Sequence, residues 1–177
     1  MKKVILVDKD GNQIGEEEKQ KAHLEGKLHS AFSILIFNSK KELLIHKRER
    51  SKYHSGGLWT NTVCSHPKPG EKIEDAVNRR LKEEMGLTAK LTEIGKFTYK
   101  TQIKDLIEHE IDHIFIGFSD ELPKPDSKEI EEYKYISIKE LKKNMHNNPN
   151  KYTYWFKIII NNYEKDIHTF INSKNDN

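Results

Sequence analysis

Cysteine is almost absent from this chain: Cys64 is the only one in 177 residues. A lone thiol closes no disulfide within the chain, which excludes a disulfide-stapled scaffold and favours a reducing compartment. Long apolar runs are absent too. The N-terminal run Val4-Ile5-Leu6-Val7 ends at Asp8, whereas a secretory signal needs roughly 7–15 apolar residues and a membrane helix about 18. The expectation is a soluble, cytoplasmic protein with no membrane partner. Nor does one sign of charge dominate. The 31 basic and 28 acidic residues are interspersed and leave a net +3, too mild a balance to argue for a nucleic-acid partner. Repeats and linkers are missing, so the length is read as one domain, 1–177, with a frayed tail at about 171–177. A chain of that size buries a core without disulfides or a structural metal.

What is present alternates between strand and helix patterns. Residues 3–8 read as a strand and 8–12 as a turn around Asp10-Gly11. Residues 16–25 are charged and weakly helical. HSAFSILIF (29–37) is a near-continuous apolar run, the pattern of a central strand, and NSKKE turns it into a second strand over 43–48. A polar loop, 49–58, carries Gly56 and Gly57. Ile73, Ala76, Val77, Leu81 and Met85 recur at helical spacing, with Pro69-Gly70 before them and Gly86 as the stop. Strands follow near 91–100, 109–118 and 133–138. Ser137-Ile138-Lys139-Glu140 is a capping box opening a short helix, and 152–171 reads as one C-terminal helix. The class is α+β, with helices packed on a mixed or mostly antiparallel sheet.

Charges stand where core residues belong. On the helix over 73–86, Arg80 and Glu84 fall near the middle of the apolar arc. A buried charge is costly unless paired or bound to a metal, so this face holds either an internal ion pair or a site for an anion and a cation. In IEHEIDHIFIGF (107–118), Glu108 and Glu110 point to one face of a strand and repel unless a cation lies between them. His109 and His113 fall on the other face and are read as structural. His23 and His29 flank LEGKL, and His66 follows Cys64 by two, on the same side of an extended chain. Three histidines with two carboxylates suit a borderline divalent metal such as Zn²⁺ or Mn²⁺; Glu84 suits Mg²⁺. Cys64 is either an inert buried hydrophobe or, in a polar metal-bearing pocket, a reactive thiolate.

GLWTNTVCSHP (57–67), EDAVNRRLKEEMGL (74–87), HLEGKLHSAFS (23–33) and IEHE (107–110) together resemble the type 1 isopentenyl-diphosphate Δ-isomerases, a family of the Nudix fold superfamily. The resemblance runs from about residue 3 to residue 160. It implies a Nudix-like fold and conversion of isopentenyl diphosphate to dimethylallyl diphosphate, feeding isoprenoid biosynthesis. It implies Mn²⁺ or Zn²⁺ on His23, His29, His66, Glu108 and Glu110. It places Mg²⁺, bridging to the substrate diphosphate, on Glu84 and the Cys64 carbonyl. Lys19, Arg48, Lys52 and Arg80 match diphosphate-contacting positions, Cys64 and Glu110 the two catalytic ones, Tyr99 the acid's assistant, and Trp155 an aromatic over the substrate. The implied partner is a small-molecule diphosphate, bound by a monomer or weak homodimer.

Departures are as informative. In the pattern G-x5-E-x7-R-E-U-x-E-E-x-G-U, with U aliphatic, this chain has Ser65, Glu71, Arg79, Arg80, Leu81, Glu83, Glu84, Gly86 and Leu87. Arg80 stands where a hydrolase has a carboxylate, which argues against the alternative of a Nudix-type hydrolase of a nucleoside diphosphate derivative. Ser55-Gly56-Gly57 replaces a Pro-Gly, implying a looser loop. His54 is an additional titratable group with no implied role.

Overall fold

Alternation along one strand organises the molecule. In the computed structural model, which describes residues 2–173, β3 (His29–Phe37) is the central strand. It pairs in parallel with β8 (Leu106–Phe118), in register from His29–Glu110 to Phe37–Phe118. It pairs antiparallel with β1 (Lys3–Val7), β4 (Leu43–Arg48) and β6 (Val63–Ser65). β2 (Gln13–Glu18) extends the sheet beyond β1, β5 (Trp59–Thr60) and β9 (Ile130–Ile136) flank β4, and β7 (Thr92–Ile103) forms a hairpin with β8.

Phe32, Ile34 and Ile36 of β3 point to one side and join Leu44, Val63 and Phe115 under helix α2 (Ile73–Met85). Leu35 and Phe37 point to the other side, with Leu43, Ile45, Ile114 and Ile116. That side is covered by α3 (Ile138–Asn147), α4 (Tyr154–Asn162) and α5 (Glu164–Ser173). A strand buried on both faces needs a near-continuous apolar sequence, as 29–37 has. The second face changes character along its length. Passing from Leu35, Ile114 and Ile116 towards the start of β3 and β8, the side chains become Ser33 and His29, Asp112, Glu110 and Glu108. The pocket lies there.

Several expectations meet the structure directly. Gly86 caps α2 in the left-handed region at φ 65°, and Ser137 Oγ accepts from Glu140 N at the start of α3. Three boundaries differ. The weakly helical segment 16–25 divides into β2, whose Glu16–Glu18 pair with β1, and α1 (Lys19–Glu25). The single helix over 152–171 breaks at Tyr163. Its hydroxyl donates to Lys96 O at 2.7 Å and its ring presses on Gly95, anchoring that residue to β7 and turning the chain between α4 and α5. The frayed tail expected from about 171 does not begin there: Ile171 is buried in the core and 171–173 belong to α5, while 174–177 lie outside the described residues. No helix among the described residues is long and apolar enough to cross a membrane.

Candidate active site

β6, β3, β8 and β7 lie side by side and contribute to one wall of a pocket of about 740 Å³, within the range of small-ligand sites. The registers Ser33–Cys64, His29–Glu110 and Tyr99–Glu110 bring residues distant in sequence to that wall. Lys19, Arg48, Lys52, Cys64, His66, Arg80, Tyr99, Glu108, Glu110 and Trp155 all line it. His23, His29 and Glu84 do not; all three are buried, and Arg80, which does line the pocket, holds the Glu84 carboxylate. Burial pushes Glu84 up to about 7, with Arg80 opposing.

Glu110 is the focus. Its Oε1 lies 2.9 Å from His66 Nε2, 3.2 Å from His29 Nε2 and 3.8 Å from His23 Nε2. Its Oε2 accepts from the Tyr99 hydroxyl at 2.7 Å, which also reaches Glu108 Oε2 at 3.2 Å. Burial opposes ionisation of Glu110, but protons donated by the imidazoles would outweigh it and hold the carboxyl well below the usual range; where a ring presents a lone pair instead, that role falls to a cation. Glu108, buried beside that negative charge, goes the other way, to about 7. The same burial, with Glu110 adding, pushes the Tyr99 phenol well up and keeps it a donor.

The outer nitrogens are already committed. His23 Nδ1 donates to Lys19 O at 2.7 Å and His29 Nδ1 to Lys27 O at 2.8 Å. Each ring therefore carries its proton on Nδ1 and presents the Nε2 lone pair to the carboxylate, the arrangement by which backbone carbonyls orient metal-binding histidines. Those two Nε2 atoms are buried and have no hydrogen-bond partner among the described residues. Buried lone pairs facing a carboxylate are costly without a positive charge between them, so the set His23, His29, His66 and Glu110 fits a divalent cation. His109 and His113 behave otherwise: their Nδ1 atoms are satisfied by Gly26 O and by Glu93, away from the pocket.

Of the two readings of Cys64, its surroundings favour the neutral thiol. Burial pushes its thiol up to about 12, with Arg48 opposing, so the pocket does not by itself produce a thiolate. The Arg48 guanidinium approaches Sγ at 3.4 Å and lies 5.6 Å from the centre of the Trp155 ring. Trp155 is fixed from behind: Nε1 donates to Asn61 Oδ1 at 3.2 Å, and Thr60 Oγ1 ties Asn61 Oδ1 to Thr153. Burial lowers Lys19 to about 8, and its ammonium stands 5.7 Å over the Tyr53 ring.

The loop over 49–58 is not loose. A Cβ at Gly56 would stand 2.5 Å from Arg50 O, so the glycine is required by a close backbone approach, and Gly57 N donates to Arg48 O at 2.9 Å. Three pocket residues went unread in the sequence. Asp112 lies two places beyond Glu110 on the same strand face, is buried, and accepts from Ser33 Oγ at 2.8 Å; the alternation that selected Glu108 and Glu110 selects it too. Glu129, joined to Lys52 and 3.7 Å from Arg80, and Tyr53, whose hydroxyl lies 3.2 Å from His23 Nδ1, come from loops that carry no periodic signal.

The NUDIX domain family matches residues 27–156 of this chain. The chain is 46% identical over 158 residues to the isopentenyl-diphosphate Delta-isomerase of Pectobacterium atrosepticum, covering 89% of this chain and 88% of that protein. It is 46% identical over 89% of its length to that of Serratia proteamaculans, covering 88% of the relative, and 40% identical over 90% to that of Halorhodospira halophila, covering 94%. Among solved structures, a protein from Deinococcus radiodurans superposes with a TM-score of 0.70 at 16% identity, over 82% of this chain and 90% of its own. A MutT protein from Methanosarcina mazei superposes at 0.61 and 20% identity, over 85% and 96%. At such identities these two report the fold alone.

Proposed function

The chain belongs to the isopentenyl-diphosphate Delta-isomerases built on the NUDIX domain, and from that premise we propose how its residues divide the reaction. The enzyme converts isopentenyl diphosphate to dimethylallyl diphosphate: a proton is added at C4 and another removed from C2. The single observation that carries the division of labour is Glu110, in contact with three imidazoles and with Tyr99, on the same pocket wall as Cys64.

In this reading Mn²⁺ or Zn²⁺ would be held by His23, His29, His66 and Glu110, whose donor atoms lie together, with Glu108, joined to Glu110 through the Tyr99 hydroxyl, as the fifth ligand. When bound, the metal neutralises the paired carboxylates and makes the Glu110 carboxyl a stronger acid. Glu84 is assigned to the Mg²⁺ that accompanies the diphosphate; release of its carboxylate by Arg80 frees that guanidinium for phosphate oxygens. Lys19, Arg48 and Lys52 supply further positive charge, and binding energy taken there orients the distant carbons.

Protonating an unactivated alkene requires a strong acid held in place. Glu110, taking up a proton from solvent between turnovers and oriented by the Tyr99 hydroxyl, delivers it to C4 and is left as the carboxylate. The tertiary cation that follows lies against the face of Trp155, a contact worth about 0.5–2 kcal/mol. A proton next to a cationic carbon is strongly acidic; Cys64 accepts it from C2 as the thiolate, formed by loss of the thiol proton to solvent and favoured by Arg48 beside the sulfur, and the step returns it to the neutral thiol. Walls that exclude water protect the cation from capture. Hydrolysis is disfavoured: Arg80 occupies a carboxylate position, and Glu71 and Glu83 are engaged by Arg79. Proton NMR of isopentenyl diphosphate with the purified protein and Mg²⁺ in D₂O tests the proposal. Dimethylallyl diphosphate labelled at the exchanging carbons in the native protein, and its absence with Cys64→Ala, is the expected result. Full turnover by Cys64→Ala would remove the thiol from the mechanism.

A further inference from the structure

His54 shares with His23 and His29 a buried ring nitrogen that no hydrogen bond satisfies among the described residues. It comes from the loop over 49–58, where Arg48 Nη2 holds its carbonyl at 3.4 Å. Its ring is 7% exposed and lies 4.5 Å from Tyr53, 5.6 Å from His23 and 6.4 Å from Trp155, centre to centre. Nδ1 stands 2.9 Å from Glu108 Oε1. That contact is not a hydrogen bond in direction: His54 Nδ1 is buried and has no hydrogen-bond partner among the described residues, as with His23 Nε2 and His29 Nε2. The comparison with His46 is direct. His46 is equally buried and near the same loop, yet its Nδ1 is satisfied by Thr62 O at 3.0 Å.

A buried ring nitrogen and a carboxyl oxygen at such a separation need either a proton or a metal ion between them; the direction of the contact does not suit a hydrogen bond, which leaves the metal ion. Donor atoms of His23, His54 and Glu108 lie within 4.8 Å of one another, as do those of His23, His29, His66 and Glu110. The two sets share His23, whose Nδ1 is committed to Lys19 O. Its one remaining lone pair serves one ion, so the two sets cannot each hold an ion through His23, and one centre that draws on both uses every donor.

We propose that His54 is a further ligand of that centre, through Nδ1 on the Glu108 side, giving it four imidazoles and two carboxylates. The inference rests on the metal reading given above and extends its ligand set. Six protein groups favour a six-coordinate ion such as Mn²⁺ over a four-coordinate Zn²⁺ site.

The test counts nitrogens. The full chain, labelled with ¹⁵N at histidine and loaded with Mn²⁺ alone, is examined by pulsed EPR for coordinated imidazoles, beside His54→Ala, His54→Gln and the control His113→Ala. The expected counts are four in the native protein and in His113→Ala, and three in either His54 variant. Mn²⁺ affinity is expected to fall about 10–100-fold in the His54 variants. The native count stands without any variant having to fold. Three imidazoles in the native protein would overturn the inference and leave the metal reading in place. Four that persist in His54→Ala would give the fourth position to another histidine and overturn it as well. A protein that binds no Mn²⁺ at this cluster would overturn both.

Discussion

At one end of the pocket, His66 and, buried behind the wall, His23 and His29 converge on Glu110, and backbone carbonyls already hold the outer nitrogens of the last two. At the other, Arg80 is held by Glu84 and Glu83 and lies near Glu129, while Lys52 is held by Glu129. The first end is an excess of lone pairs and negative charge in a dry setting, prearranged and short of a cation. The second is a set of half-buried cations already compensated by acids of the same chain. A ligand at the first end fills a fixed frame; an anion at the second has to compete. Substitutions at the histidine end should therefore abolish chemistry, and those at the cationic end should weaken binding.

Glu110→Gln carries the largest expected effect. It keeps the shape and removes the transferable proton, so turnover should fall by roughly 10²–10⁴-fold with circular dichroism unchanged; a turnover within a few fold of native would move the acid elsewhere. Chelation comes next. Stripping the metal should abolish turnover and lower the melting temperature by roughly 5–10 °C, since a ligand at 100 times its Kd stabilises by about 2.7 kcal/mol. An unchanged melting curve in verified metal-free protein would mean that the histidine end is satisfied without a cation. Lys52→Met should raise KM by about 10-fold, near 1.4 kcal/mol, with kcat little changed and a weaker dependence on salt. A fall in kcat at constant KM would erase the distinction between the two ends.

The smallest effect belongs to neither end. Arg79 grips Glu71 with two bonds, of 2.7 and 2.8 Å, and lowers its carboxyl from 4.5 to about 2. A carboxyl lowered on folding contributes stability above its unfolded value and loses it as pH falls towards the folded one. That contribution is full above about 4.5 and gone below about 2. Glu71→Gln should cost no more than about 1 kcal/mol at neutral pH and flatten the acid limb of stability, measured by urea unfolding at several pH values. An acid limb identical to the native one would show that the pair is not felt.

Much of the site was legible because its elements are periodic. Alternation put Glu108 and Glu110 on one face, and helical spacing put Glu84 in the apolar arc of α2, where they are buried; Arg80, expected beside Glu84, stands partly exposed at the pocket instead. Asp112 obeys the same alternation and was passed over because no residue type in its segment reveals that this part of the face is enclosed. His54 lies in a polar loop, where no period exists, and its partner Glu108 is more than fifty positions away. The break at Tyr163 was hidden because it depends on a hydroxyl reaching Lys96 O across the fold.

The sequence by itself determined the family, the α+β class, the side of each strand or helix that a residue occupies, and most of the groups in the pocket. Those properties are local or compositional: a period, a cap, a motif. Tertiary structure alone decided which groups meet and in what state. The parallel register of β3 with β8 sets His29 opposite Glu110. Enclosure by α4 and the loop over 49–58 raises the Cys64 thiol to about 12 and leaves imidazole nitrogens without partners. Desolvation is a property of everything packed around a group, and it has no address in the residues beside it.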